Sequence, residues 1–133
     1  GRHEDALEVL RQAYSLRRDY PALNKILAVL TFKDRDYSHA VENLDMYLRH
    51  EPNIVDFWLY LSLAHKRRGH FDRALDAAQR VYELRPDRLP NLINMADLYQ
   101  KIGDFAEART YIDRALKIDP ANRQAQSLLA AIA

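Results

Sequence analysis

Cysteine is absent from this 133-residue chain, which excludes disulfides, thiolate metal sites and cysteine nucleophiles. Glycine is nearly as scarce: there are three, far apart. A phosphate-cradling loop needs several close together, so that backbone N–H groups converge on the anion. No apolar run is long enough to span a bilayer. No signal-type stretch stands in these residues. Because the chain reads as cut from something longer, its compartment stays open, and a soluble protein of either cytoplasm or periplasm is expected. An excess of one charge is also missing. Lysine and arginine number 20 against 19 aspartates and glutamates, for a net of +1, so the total implies neither an acidic nor a basic partner.

What the chain does have is a period. Pro52, Pro86 and Pro120 stand 34 residues apart, the spacing of a two-helix repeat. Tyr37, Phe71 and Phe105 keep the same step, as do Ala40, Ala74 and Ala108, and Gly69 and Gly103. Each glycine falls where a first helix should stop, because glycine takes the left-handed closing conformation without steric cost. Each proline follows a second helix, where it forbids continuation. These marks predict first helices near 21–33, 55–68, 89–102 and 123–133, and second helices near 2–16, 37–50, 71–84 and 105–118. The connections are a few residues long, so neighbouring helices should run antiparallel. Trp58, Leu61, Leu63 and Ala64 line one helical face, and Phe71, Ala74, Leu75, Ala78 and Val81 another. Ala40, Ala74 and Ala108 fall where the two helices of a repeat come closest, and a larger side chain there would force the backbones apart.

The pattern resembles the tetratricopeptide repeat. The last full repeat carries Leu92, Met95, Ala96, Tyr99, Gly103, Phe105, Ala108, Ile112, Ala115 and Pro120 at the family's offsets. The middle repeat carries Trp58, Leu61, Ser62, His65, Gly69, Phe71, Ala74, Ala78, Val81 and Pro86. The first full repeat carries Asn24, Leu27, Ala28, Thr31, Arg35, Tyr37, Ala40, Leu44, Tyr47 and Pro52. The resemblance implies an all-α fold, a right-handed solenoid of antiparallel helix pairs. Its repeats are 21–54, 55–88 and 89–122, with the second helix of a truncated repeat over 1–20 and a further first helix or cap over 123–133. Three departures stand out. Asn24 replaces a large apolar residue, so the first full repeat should pack less tightly on its amino side. Arg35 replaces glycine, at a cost on the order of 1 kcal/mol if its backbone is left-handed. His65 stands where tyrosine is usual. Gly1, His3, Ala6, Leu10 and Ala13 fit a second helix without its partner. Leu128, Leu129 and Ile132 fit a first helix without its partner. Both ends read as apolar rather than as polar caps, so a fragment of a longer solenoid that associates end to end is expected.

No cofactor, metal or catalytic constellation is expected. His65 and His70 flank a helix break, unlike a one-face zinc pair; His65 reads as a packing substitute and His70 as exposed in a turn. Ser62 reads as a packing residue. Glu107 and Arg109 read as part of a solvated charged face. Two basic runs, Lys66 to Arg68 and Arg17 with Arg18, read as complements of helix C-terminal dipoles. Acidic residues interrupt them too often for a nucleic-acid surface.

In the family resembled, first helices line the concave side, and this implies a partner-binding groove. Its expected residues are Lys25, Val29, Phe32, Leu59, Tyr60, Leu63, Lys66, Ile93, Asn94 and Asp97. The apolar members form a strip and the polar ones orient an extended peptide or amphipathic helix, with Tyr60 as the preferred anchor. Leu59, Leu63 and Ile93 have a second reading, as fillers between repeats. Some members of the family bind chaperone carboxylates through a clamp. Lys25 matches it, but Val29, Tyr60, Pro90 and Asn94 replace its other groups, so that ligand is not expected. The sequence therefore points to a non-catalytic scaffold for another protein. Arginine usage favours a bacterial setting, and family analogy extends this to envelope assemblies such as polysaccharide export or pilus machinery. The alternative is an anionic polymer held by Lys25, Lys33, Lys66, Arg67 and Lys101.

Overall fold

The computed structural model describes the backbone of residues 2–16 and 21–133, and the side chains of residues 4–12 and 21–133. The expectations for Gly1, Arg17 and Arg18, and for the side chains of His3 and Ala13, lie outside the described residues. Within them the chain forms α1 (Arg2–Leu16), α2 (Pro21–Lys33), α3 (Tyr37–His50), α4 (Val55–Arg67), α5 (Phe71–Leu84), α6 (Leu89–Ile102), α7 (Phe105–Ile118) and α8 (Arg123–Ile132). The bounds match the punctuation, except that α4 and α8 each end one residue early.

Every first helix that closes on a described turn does so in the same way. Asp36, His70 and Asp104 each donate a backbone N–H to the carbonyl five residues back, on Thr31, His65 and Tyr99, at 2.9 Å. This Schellman closure needs a left-handed residue just before the donor. Gly69 (φ 78°) and Gly103 (φ 87°) supply it, and so does Arg35 (φ 61°). Second helices start on side-chain caps where the sequence offers one: Asp36 accepts from the His39 amide and Asp104 from the Glu107 amide. His70 sits in the same register and makes no side-chain cap bond. Pro52, Pro86 and Pro120 lie in the turns beyond the second helices, and two of those turns are fastened. Trp58 Nε1 donates to the Pro52 carbonyl at 2.7 Å and Gln126 Nε2 to that of Pro120 at 2.9 Å.

Each second helix packs on the first helix of its own repeat and on that of the next. The core is accordingly a series of seams. Ala28, Leu44, Phe57, Leu61, Ala64 and Ala77 join α2 through α5. Ala74, Leu92, Met95, Leu98, Ile112 and Ala125 join α5 through α8. A smaller cluster of Leu7, Leu23 and Leu27 docks α1 on α2; beside it Asn24 is buried. Ala40, Ala74 and Ala108 are fully buried, as close helix approach demands. Polar groups enter the seams only with partners or at a cost. Ser62 is buried because its hydroxyl donates to the Ala74 carbonyl at 2.7 Å, which binds α4 to α5. It is thus a cross-link between helices, beyond the plain packing residue expected. His70 is half-buried, with its ring 6.2 Å from that of His65. The turn folds it back onto α4, so it is less exposed than expected.

Candidate partner-binding groove

α4, α6 and α8 lie side by side, so one face of each contributes to a shared surface. On α4 that face carries Leu59, Leu63 and Lys66, spaced four and three residues apart as one helical stripe requires. On α6 it carries Pro90, Ile93, Asn94, Asp97 and Lys101, and on α8 Gln124, Ser127, Leu128 and Ala131. Together they line a cleft of about 620 Å³. A second cleft of about 630 Å³ opens between the ends of α2 and α4 and the start of α3, lined by Phe32, Lys33, Arg35, Tyr37, Leu63, Lys66 and Arg67. Leu63 and Lys66 border both, so the two clefts meet along α4.

Six of the ten expected residues, Leu59, Leu63, Lys66, Ile93, Asn94 and Asp97, line the first cleft. Phe32 lines the second. Lys25, Val29 and Tyr60 line neither. Val29 and Tyr60 pack against the seam between the first two full repeats. The Tyr60 ring lies 4.9 Å from Phe32 and 6.0 Å from Phe57. Lys25 is exposed, with its ammonium 6.0 Å from the Tyr47 ring centroid. Sequence reasoning missed the α8 contribution, although the register contained it. Adding one repeat to Pro90, Ile93, Asn94 and Asp97 gives Gln124, Ser127, Leu128 and Ala131.

The polar groups of the first cleft are held in fixed roles. Asp97 accepts from Lys66 Nζ at 3.1 Å and from Lys101 Nζ at 2.8 Å. Burial pushes its carboxyl pKa up, but the hydrogen bonds and charges of Lys101 and Lys66 outweigh this and hold it below the ordinary value. Lys66 and Arg67 do lie in the last turn of α4, as the dipole reading expects, and Lys66 has the further role of tying α4 to α6. Asn94 is 3% exposed, and its Nδ2 donates to Ser62 Oγ at 2.8 Å. The Ala74 carbonyl can only accept, so Ser62 spends its proton there and takes the Asn94 amide hydrogen on a lone pair. Asn94 Oδ1 is left buried without a partner. Arg88, the N-cap of α6, pairs with Asp56 in the first turn of α4. Among the described residues no group of three or more His, Asp or Glu is placed to hold a metal ion, and no helix is long and apolar enough to cross a membrane.

A stack of antiparallel helix pairs with clefts along its first helices is an α-solenoid. Two tetratricopeptide-repeat profiles match, over residues 27–88 and 67–132. The chain belongs to the tetratricopeptide repeat family, whose members are in general protein–protein interaction scaffolds. It is 29% identical over 98 residues to "Protein STIP1 homolog" of Dictyostelium discoideum, and 32% identical over 76 residues to "Superkiller complex protein 3" of Mus musculus. Those alignments cover 74% and 57% of this chain but span only 17% and 5% of the relatives' own lengths. The solved structure "MamA MSR-1 C2" superposes with a TM-score of 0.84 at 22% identity, over 90% of this chain and 69% of that one. "APC/C hetero-tetramer Cut9-Hcn1" does so with a TM-score of 0.79 at 23% identity, over 94% of this chain and 26% of that one. These likenesses show the right-handed solenoid fold.

Proposed function

We propose that the chain is a non-catalytic scaffold that holds an extended or helical segment of a partner protein along its inner cleft. The observation that supports this reading is that Leu63 and Lys66 border both clefts, so that a segment lying along α4 could contact the two of them. Leu59, Leu63 and Ile93 supply the apolar wall, while the Lys66–Asp97–Lys101 cluster orients polar groups of the segment. Phe32 extends the wall, and Val29 and Tyr60 shape it from the seam; Lys25 stays outside both clefts. The polymer alternative loses weight because Lys66 and Lys101 share the Asp97 carboxylate, which offsets one of their two charges and holds both ammonium groups in place. A bacterial origin and an envelope role remain inferences from arginine usage and family analogy. Association of copies through the apolar ends belongs to the same proposal.

The experiment is a selection of peptides from a random library on the immobilised chain, followed by titration of the best binder. Leu63→Ala should weaken capture by about 1–2 kcal/mol, as for a central apolar contact, and added salt should change it little. Steep salt dependence, together with equal capture of single-stranded DNA or heparin, would transfer the function to anionic polymers. Light scattering of the free chain reads self-association, and a strict monomer at millimolar concentration removes it.

A further inference from the structure

On the outer side of the solenoid one position differs among the three full repeats, held by Asn43, Ala77 and Tyr111 in turn. In the last full repeat Tyr111, on α7, fills the trough between α5 and α7. It is 7% exposed, stacks on Tyr99 at 5.6 Å and 8° between planes, and meets Tyr82 edge-on at 5.8 Å. The Arg114 guanidinium closes this nest, 5.1 Å from the Tyr111 centroid and 5.5 Å from that of Tyr82. One repeat earlier the same four positions hold Ala77, His65, Leu48 and Arg80. The stacking partner and the cation are kept in kind, and the ring between them is gone. A niche of about 440 Å³ lies there, bordered by Ala77, His65, Trp58, Arg73, Arg80 and the carboxylates of Asp45 and Asp76.

We propose that this niche on the outer face binds the side chain of a tyrosine carried by a partner protein, the ring occupying the place that Tyr111 fills one repeat later. The molecule itself shows what this trough accommodates. Neither sign of charge prevails at the rim, where Arg73 and Arg80 face Asp45 and Asp76, so a neutral ring suits it better than an ion. Among the described residues Arg80 pairs with Glu83, in an exposed pair at 3.1 Å, and such a pair exchanges at little cost for the face of an aromatic ring. His65 is 6% exposed, and its Nδ1 is buried without a hydrogen-bond partner. A tyrosine ring in the niche would lie against the His65 ring as Tyr111 lies against Tyr99. The protein source, rather than a free small phenol, follows from what adjoins the niche. Asp45, Trp58 and Arg80 also border a neighbouring trough of about 500 Å³ over Leu48, Arg49 and Pro52, where the chain carrying the tyrosine can lie.

The sole tryptophan, Trp58, borders both spaces and reports on them. N-acetyl-tyrosine methylamide and p-cresol are titrated while Trp58 fluorescence is followed at the red edge of excitation, where phenols do not absorb. Saturable responses at roughly millimolar concentration are expected from both. Arg80→Ala, at an exposed position, should weaken them about two- to fivefold, the size of an exposed cation–π contact. In Ala77→Tyr the tethered ring should fill the niche, raise the melting temperature and abolish the response. No saturation by the tyrosine amide overturns the proposal, and so does an undiminished response in folded Ala77→Tyr. Binding of p-cresol but not of the amide overturns the protein source. Should Ala77→Tyr not fold, the titrations of the parent chain and Arg80→Ala decide alone. All these readouts are independent of the inner cleft.

Discussion

One backbone position, sampled three times, allows a test of how this fold closes its first helices. Arg35, Gly69 and Gly103 occupy it with φ of 61°, 78° and 87°, and the same five-back hydrogen bond follows each. A side chain in this conformation costs about 1–2 kcal/mol, while glycine gives the unfolded chain about 0.4–1 kcal/mol of extra freedom. Arg35→Gly should therefore stabilise by about 0.5–1 kcal/mol, the difference between those two effects. Gly69→Ala and Gly103→Ala should destabilise by the same amount. A Cβ built at either glycine meets nothing within 4 Å, so no clash adds to the backbone effect. Arg35 is exposed, and loss of its side chain should matter little. The assay is urea unfolding followed by circular dichroism, with unchanged slope as the sign that only stability moved. If Arg35→Gly destabilises, or if Gly69→Ala is neutral, the left-handed closure is not what sets the residue preference at this position.

Two further outcomes are expected. Ala74 is fully buried where α4 meets α5, and its carbonyl accepts from Ser62; Ala74→Leu should cost about 1–3 kcal/mol by overpacking, and a variant of unchanged urea midpoint would show that the helices have room to spare. Burial, followed by the charges of Arg73, His70 and Arg68 against the weaker pull of Asp76, lowers the His65 pKa to about 4, from 6.5. Asp45 of α3 borders the same niche. The unfolded chain takes the proton first, so stability should fall as pH drops from 6.5 toward about 4. It should level off once the folded state is protonated too. His65→Tyr should flatten that window in urea midpoints measured against pH, and an identical fall in both proteins would place its cause elsewhere.

The helices were legible because their signals are local. A left-handed glycine, an aspartate cap or a proline acts within one turn of its own backbone, and each recurred at a fixed step. Even Arg35, which breaks the glycine pattern, keeps the closing geometry, since the register and the five-back hydrogen bond demand it. Of the expected groove residues, Leu63, Ile93 and Asp97 line the first cleft, and the α8 residues beside them lie one period beyond α6. Tyr60, expected as the preferred anchor, lines neither cleft and packs on Phe32 of α2, because an inward stripe and a seam adjoin on one helix and only the lateral placement of α2 decides between them.

The period and the alternation of helices and turns thus belonged to the amino-acid order alone. Tertiary structure decided which side chains meet across a repeat: Lys66 with Asp97, Ser62 with Asn94, Asp56 with Arg88, Tyr82 with Arg114. These partners stand 31 or 32 residues apart rather than the full period. Residues a full period apart point the same way and cannot face each other, so a side chain meets one about a turn off that register, a matter of three-dimensional packing with no counterpart in any short stretch of chain.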